Sequence, residues 1–175
     1  EYPFSRELPD ISQLSEFEKS FASVCGLESL TPEELCKVKA YYYGLTAWID
    51  DQVGEILHLL EERGLLENTV LIVNADHGAL RGECRGLGKH LFQRASQAVP
   101  LIIADPDMSS RQRGSRVKQI CSNIDLPRTL FGLLGVAIPE QFRGCDLFSG
   151  KYPQEVYGTI GYGEADSYAF PLVRA

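Results

Sequence analysis

Two pairs of ionisable residues lie close together in the stretch "IVNADHGALRGECRGLGKH", residues 72 to 90. Asp76 and His77 stand near its start, Lys89 and His90 end it, and four glycines lie between the pairs. An Asp offers a hard oxygen to a divalent cation, and a neighbouring His can bind the metal or an anion held by it. A lysine ammonium suits a tetrahedral oxyanion such as phosphate or sulfate. If the glycine-rich excursion folds back, these groups can act on one anion.

A plainer interpretation stays open for each of these residues. An Asp-His-Gly at the end of a strand is more often a turn with a capping Asp than a set of ligands. Lys89 is equally well explained as a solvated loop residue. The residue types alone therefore leave open whether the stretch is a turn or a wall of an active site.

A long helix is predicted ahead of this stretch. Thr31 can cap it, Pro32 takes the first helical position, and Glu34 completes a capping box. Apolar residues then recur at steps of three and four, which predicts a helix over about 32–62 with one buried stripe. Its tyrosines and Trp48 are expected to pack in the core.

Short apolar runs predict the strands that position the stretch. The segment "TVLIVNAD" indicates a strand over about 69–75 that is buried on both faces in a parallel sheet, and "AVPLIIAD" indicates a second buried strand over about 99–104. Asp76 and His77 then lie beyond the carboxyl end of the first strand, where open α/β sheets bind ligands. The sequence thus predicts a position typical of an active site.

The remaining elements and the composition indicate one α/β layered domain. A helix over about 126–134 and two terminal strands within about 155–174 complete the chain of 175 residues. The net charge of −7 argues against nucleic acid or an anionic membrane as a partner. The apolar runs are too short for a membrane span, so a soluble protein is expected. Five widely spaced cysteines leave the compartment and the disulfide state open, as the sequence leaves the oligomeric state.

Residues 40 to 136 resemble the second half of the sulfatase family, within the alkaline phosphatase superfamily. Four blocks carry the resemblance in the order of the family: "YYYGLTAWIDDQVGEIL", "GLLENTVLIVNADHG", "GKHLFQRASQAVPLIIADP" and "IDLPRTLFGLLGV". The resemblance implies an α/β fold with a mixed, mostly parallel central sheet flanked by helices. Residues 1–175 would be part of that catalytic domain, and any signal peptide would lie upstream.

The resemblance also implies roles for individual residues. Asp76 matches the Asp of the family's "DHG", a ligand of the active-site divalent cation, expected to be Ca²⁺ with Mn²⁺ or Mg²⁺ as alternatives. His77 matches a position that ligates the metal or contacts the bound ester. Lys89 matches the lysine that binds the sulfate group during catalysis, and His90 follows it as a further contact. The implied substrate is a sulfated small molecule or saccharide.

The family's nucleophile has no counterpart in this chain. That nucleophile is a formylglycine made from the Cys of C-x-P-x-R, which attacks sulfur as an aldehyde hydrate. None of the five cysteines has this context, and Asp50 and Asp51, on the predicted helix, do not match the family's other metal carboxylates. Ala79 and Cys84 also depart from the family pattern, in which an acidic residue and a histidine are common. The chain alone is therefore expected to be inactive.

Two other functions stay open. A phosphoesterase or phosphonate monoester hydrolase of the same superfamily would use the same cation and lysine chemistry. A noncatalytic pseudoenzyme or binding domain would keep the fold without binding a cation at Asp76.

Overall fold

The computed structural model describes residues 7–89, 91–161 and 167–174. The chain divides into two compact units, residues 1–106 and residues 107–175. No helix within the described ranges is long and apolar enough to cross a membrane.

Two capped helices open the first unit. Helix α1 spans Glu16–Val24, and Ser15 and Glu18 form a capping box at its start. Helix α2 spans Pro32–Glu62 and has the capping box that its sequence indicates. Its bounds match the predicted 32–62, because the cap and the proline at the first position mark the start unambiguously.

The apolar stripe of α2 is only partly buried, so the prediction of one buried stripe is wrong for this chain. Leu35, in the first turns of α2, is fully buried. Farther along the helix, six large apolar side chains are exposed on one face: Tyr41, Leu45, Trp48, Ile49, Ile56 and Leu59. A stripe is buried only where a second layer covers it, and the described part of this unit covers α2 mainly near Leu35.

The two longer strands of the first unit pair in the antiparallel direction, which corrects the predicted parallel sheet. Strand β1 spans Leu71–Asn74 and strand β4 spans Leu101–Ala104, and their register runs from Leu71↔Ala104 to Asn74↔Leu101. Parallel neighbours need a crossover connection, usually a helix. Here the connection contains a hairpin and a helix of only four residues, so the chain comes back at the same end.

The sequence predicted that both strands are buried, but each strand has one exposed face. Val73 of β1 is 37% exposed and Ile102 of β4 is 60% exposed. The exposed residues alternate with partly buried ones along β4, as expected for a sheet with one open face.

The connection between β1 and β4 contains three short elements. Strands β2, Leu80–Arg81, and β3, Leu87–Gly88, pair as an antiparallel hairpin, and helix α3 spans Arg94–Gln97. Leu80 is almost fully buried, as is Leu91, just after the hairpin. The hairpin is therefore part of the small core of this unit.

The second unit contains helix α4, Leu126–Leu133, and the antiparallel strands β5, Glu155–Gly161, and β6, Ser167–Arg174. These bounds lie close to the predicted 126–134 and 155–174. The buried Asp125 before α4 accepts hydrogen bonds from the backbone N–H groups of Ser122, at 2.8 Å, and Cys145, at 2.7 Å. Its carboxylate thereby ties the segment after α4 to the start of the helix.

Candidate active site

Asp76 and His77 lie in a turn directly after β1. The Oδ1 atom of Asp76 accepts a hydrogen bond of 2.9 Å from the backbone N–H of His77. The next residue, Gly78, donates its N–H to the carbonyl of Ser96 at 2.7 Å, and a Cβ at this position would collide with the carbonyl of Ala95. Only glycine fits so close to the backbone of α3, and this contact fixes the direction in which the chain leaves the turn.

The β2–β3 hairpin brings Lys89 back to the turn. Leu80 pairs with Gly88, so the residues that follow the turn lie beside the residue that precedes Lys89. The Nζ atom of Lys89 lies 2.8 Å from Nε2 of His77, although the two residues are twelve positions apart. The fold-back on which the site interpretation depends is present.

The hydrogen bonds of His77 define its tautomer. Its Nδ1 atom lies 2.8 Å from the carbonyl oxygen of Gly78, which can only accept, so Nδ1 carries the proton. The Nε2 atom then presents a lone pair, and it accepts a hydrogen bond from the Lys89 ammonium. The same Nε2 atom lies 3.3 Å from Oδ2 of Asp76. The imidazole of His77 thus stands between a carboxylate and an ammonium.

The described residues do not complete a metal site. Within the ranges that the structure covers, no group of three or more His, Cys, Asp or Glu side chains could hold a metal ion. Ca²⁺ takes about six to eight oxygen ligands, of which Asp76 can supply one or two. In this arrangement the lone pair of His77 faces the Lys89 ammonium, so His77 cannot ligate a cation unless Lys89 moves away. Asp76 and His77 together are too few ligands for the expected ion.

The other predicted residues are placed as follows. His90 lies outside the described residues. Asp50 and Asp51 are exposed on α2. Asp76, His77 and Lys89 are exposed too, and the side chain of His77 is 39% exposed while that of Asp76 is 83% exposed. The three residues that come together therefore form a surface that a ligand can reach.

Sequence reasoning missed the residues that hold the hairpin from outside. The guanidinium of Arg85 donates hydrogen bonds to the carbonyls of Pro9, at 3.0 Å, and Glu28, at 2.9 Å. The carboxylate of Glu18 accepts a hydrogen bond of 2.7 Å from Nε2 of Gln93. The capping box of Glu18 can be predicted from "SEFE", whereas contacts to residues more than fifty positions away leave no local pattern.

The comparisons with known proteins define the family. A family model described as Sulfatase matches residues 9–136, and the chain belongs to the sulfatase family. Arylsulfatase K of Bos taurus is 32% identical over 146 residues, which cover 81% of this chain and 26% of the relative. Arylsulfatase K of Xenopus laevis is 34% identical over 117 residues, or 67% of this chain and 21% of the relative. The chain spans about a quarter of the length of these relatives.

Two solved structures share the fold. Phosphonate monoester hydrolase SpPMH from Silicibacter pomeroyi matches with a TM-score of 0.69 at 29% identity. The match covers 77% of this chain and 27% of the SpPMH chain. The protein BT4656, solved in complex with its substrate D-glucosamine-2-N,6-O-disulfate, has a TM-score of 0.62 at 24% identity, covering 71% and 28%. The predicted α/β fold of the alkaline phosphatase superfamily is confirmed, although the strands described in this chain pair in the antiparallel direction.

Proposed function

We propose that residues 71–89 form one wall of the active site of an enzyme that hydrolyses sulfate esters. The observation that carries the proposal is the Lys89 ammonium, which lies 2.8 Å from Nε2 of His77 beyond the end of β1. Membership of the sulfatase family supports the class of reaction. An ammonium at this place supplies positive charge where the sulfate group would bind.

Lys89 and His77 act as a pair in this proposal. Nε2 of His77 accepts one N–H of the ammonium, and an ammonium has three, so two more can serve sulfate oxygens. The bond from Nδ1 of His77 to the carbonyl of Gly78 holds the ring in place. A held ammonium stabilises the negative charge on the sulfate oxygens better than one that must reorganise during the reaction.

Asp76 has a different role in the proposal. Its carboxylate is the kind of oxygen ligand that Ca²⁺ takes, and that Mn²⁺ or Mg²⁺ would also accept. The remaining ligands would come from the part of the sulfatase domain that lies outside these 175 residues. No step of the reaction is assigned to the cation, because the described residues do not hold it alone.

The same missing part would supply the nucleophile. No cysteine of this chain stands in the C-x-P-x-R context, and the chain spans about a quarter of its relatives. The exposed apolar face of α2 is what a helix shows when the layer that it packs against is absent. The proposal therefore treats residues 1–175 as a part of the catalytic domain that does not turn over substrate alone.

A sulfated small molecule or saccharide is the proposed substrate. BT4656, which shares the fold, is solved with a disulfated glucosamine. The second candidate is a phosphonate monoester hydrolase, because SpPMH shares the fold with a TM-score of 0.69. Both reactions place a tetrahedral oxyanion against a cationic group.

The experiment compares sulfate and phosphorus esters as substrates of the complete protein that contains these residues. A chromogenic aryl sulfate and the matching phosphate monoester, phosphate diester and phosphonate monoester are offered at equal concentration. The proposal expects the highest kcat/KM for the aryl sulfate. Clear hydrolysis of the phosphorus esters without hydrolysis of the sulfate would instead establish the second candidate.

A further inference from the structure

The tip of the β2–β3 hairpin has an unusual backbone. Cys84 and Arg85 both have positive φ angles, 51° and 50°, and neither is glycine. Two successive side-chain-bearing residues in the left-handed region are uncommon, because Cβ crowds the backbone there. Such a conformation persists only where surrounding contacts impose it, and it is often found near functional sites.

The contacts that impose it come from the N-terminal part of the first unit. Arg85 donates to two backbone carbonyls, those of Pro9 and Glu28. Helix α1 packs against the tip, where the Glu18 carboxylate and the Cys84 thiol interact and the carboxylate raises the pKa of the thiol. Below the tip, Gly82 has a φ of 102° and lies against Leu35 of α2, so a Cβ at this position would collide with the Leu35 side chain. The hairpin is therefore fixed at its far end.

Glu18 also holds the segment that follows Lys89. Its Oε1 atom accepts a hydrogen bond of 2.7 Å from Gln93, four residues beyond Lys89. Its Oε2 atom accepts one of 2.9 Å from the backbone N–H of Ser15. One carboxylate thus ties together α1, the hairpin tip before Lys89 and the chain after it.

We propose that Glu18 is a positioning residue for the anion site. By holding both the hairpin tip and Gln93, it fixes the place from which Lys89 reaches His77. A capping glutamate would need only its contact to Ser15, so the contacts to Cys84 and Gln93 go beyond the helix start. The inference rests on the proposed function, because it assumes that Lys89 binds the oxyanion.

A swap of the two partners tests the contact. Gln93→Glu places a carboxylate against Glu18, which should open the contact and weaken sulfate binding about tenfold, as substitutions in a coupled network do. Adding Glu18→Gln restores an amide–carboxylate pair, and glutamine also serves in a capping box. Sulfate binding should then return to within about twofold of wild type. The measurement is the dissociation constant of inorganic sulfate for the complete protein, by calorimetry.

The matched control is the double variant that combines Gln93→Glu with Glu16→Gln. Glu16 lies on the same helix and pairs with Lys19, so its removal lowers the same charge without touching the swapped pair. It should not restore sulfate binding. If both double variants behave alike, or if Gln93→Glu binds sulfate like wild type, Glu18 does not position the site.

A second variant covers the case in which Gln93→Glu does not fold. Gln93→Ala removes the donor without repulsion and should weaken sulfate binding by about threefold or more; unchanged binding would overturn the inference. A wild-type protein that binds sulfate but hydrolyses no sulfate ester would count against the proposed function. The dissociation constants of the variants could still be compared and would still test the role of Glu18. A wild-type protein that does not bind sulfate would overturn both.

Discussion

At the scale of single residues, the site depends on the hydrogen bonds that hold one histidine, His77. The carbonyl of Gly78 determines that Nδ1 of His77 is protonated, and Nε2 therefore accepts from Lys89. The sequence predicted the three residue types and their order. It could not predict the tautomer, because that depends on a backbone carbonyl whose direction is set by the packing of Gly78 against α3.

Asp76 gives the prediction that belongs to this scale. In the complete protein, Ca²⁺ should raise the thermal unfolding temperature, because an ion that binds only the folded state stabilises it. Asp76→Asn should remove most of that increase, and a chelator should lower the wild type to the level of the variant. Asp51→Asn, which removes an exposed carboxylate of α2, is the control. An unaltered Ca²⁺ effect in Asp76→Asn would favour a noncatalytic domain or a cation bound elsewhere.

At the scale of elements, the N-terminal cap of α2 predicts how the stability of the fold depends on pH. The hydrogen bond from the backbone N–H of Thr31 lowers the pKa of Glu34 below its ordinary value of 4.5. A carboxylate with a lowered pKa stabilises the fold above pH 4.5, and this contribution is lost as the pH falls through the folded pKa. Glu34→Gln can still cap α2, so its unfolding temperature should decrease less between pH 6 and pH 3, measured by circular dichroism.

The matched variant for this comparison is Glu33→Gln, which removes the same charge in the same helical turn and leaves the capping box intact. It should keep the pH dependence of the wild type. A Glu34→Gln profile that coincides with the wild-type profile would show that the cap contributes nothing to acid sensitivity.

The hairpin tip gives a second prediction at this scale. Burial, followed by the hydrogen bond to Glu18, raises the pKa of the Cys84 thiol from 9.0 to about 12. Because only the thiolate reacts, the three-unit difference lowers the reactive fraction about a thousandfold at neutral pH. Iodoacetamide at pH 8 should therefore label the exposed Cys25 long before Cys84, as followed by peptide mass spectrometry.

Glu18→Gln removes a charge that raises this pKa, so it should accelerate the labelling of Cys84, whereas Glu16→Gln should not. Equal labelling rates of Cys25 and Cys84 in the wild type would mean that the tip is open in solution.

The elements also show where sequence reasoning succeeded and where it failed. The bounds of α2 could be predicted because Thr31, Pro32 and Glu34 signal the start locally. The pairing of β1 with β4 could not, because an apolar run has the same pattern in a parallel or an antiparallel sheet. The contacts of Glu18 and Arg85 depend on chain segments far apart in sequence, and no periodicity records them.

At the scale of the whole molecule, the exposed stripe on α2 and the length of the relatives have the same explanation. The residues that lie on one face, among them Trp48 and Ile49, are suited to a core. Relatives that are about three times as long as this chain contain enough residues to cover them. The amphipathic pattern of the helix could be predicted from the sequence, and we infer that its burial requires residues beyond these 175.

Ile49→Lys tests this explanation. In the 175-residue chain, where Ile49 is 56% exposed, the substitution should change the free energy of unfolding by at most about 0.5 kcal/mol. In the complete protein it should cost about 2 kcal/mol or more, because a charge would be buried without a partner. Urea unfolding of both proteins measures the difference, and Asp51→Asn on the polar face should be nearly neutral in both. An equally small effect of Ile49→Lys in both proteins would mean that nothing covers the stripe.

The central claim is that the Lys89 ammonium, held by His77, binds the oxyanion of a sulfate ester. The most direct test is the rate of aryl sulfate hydrolysis by the complete protein with Lys89→Ala, beside Lys37→Ala, which removes an exposed lysine of α2. Loss of a preorganised charge should lower kcat/KM by about two to three orders of magnitude for Lys89→Ala and leave Lys37→Ala unchanged. A Lys89→Ala protein that hydrolyses aryl sulfate as fast as the wild type would contradict the claim.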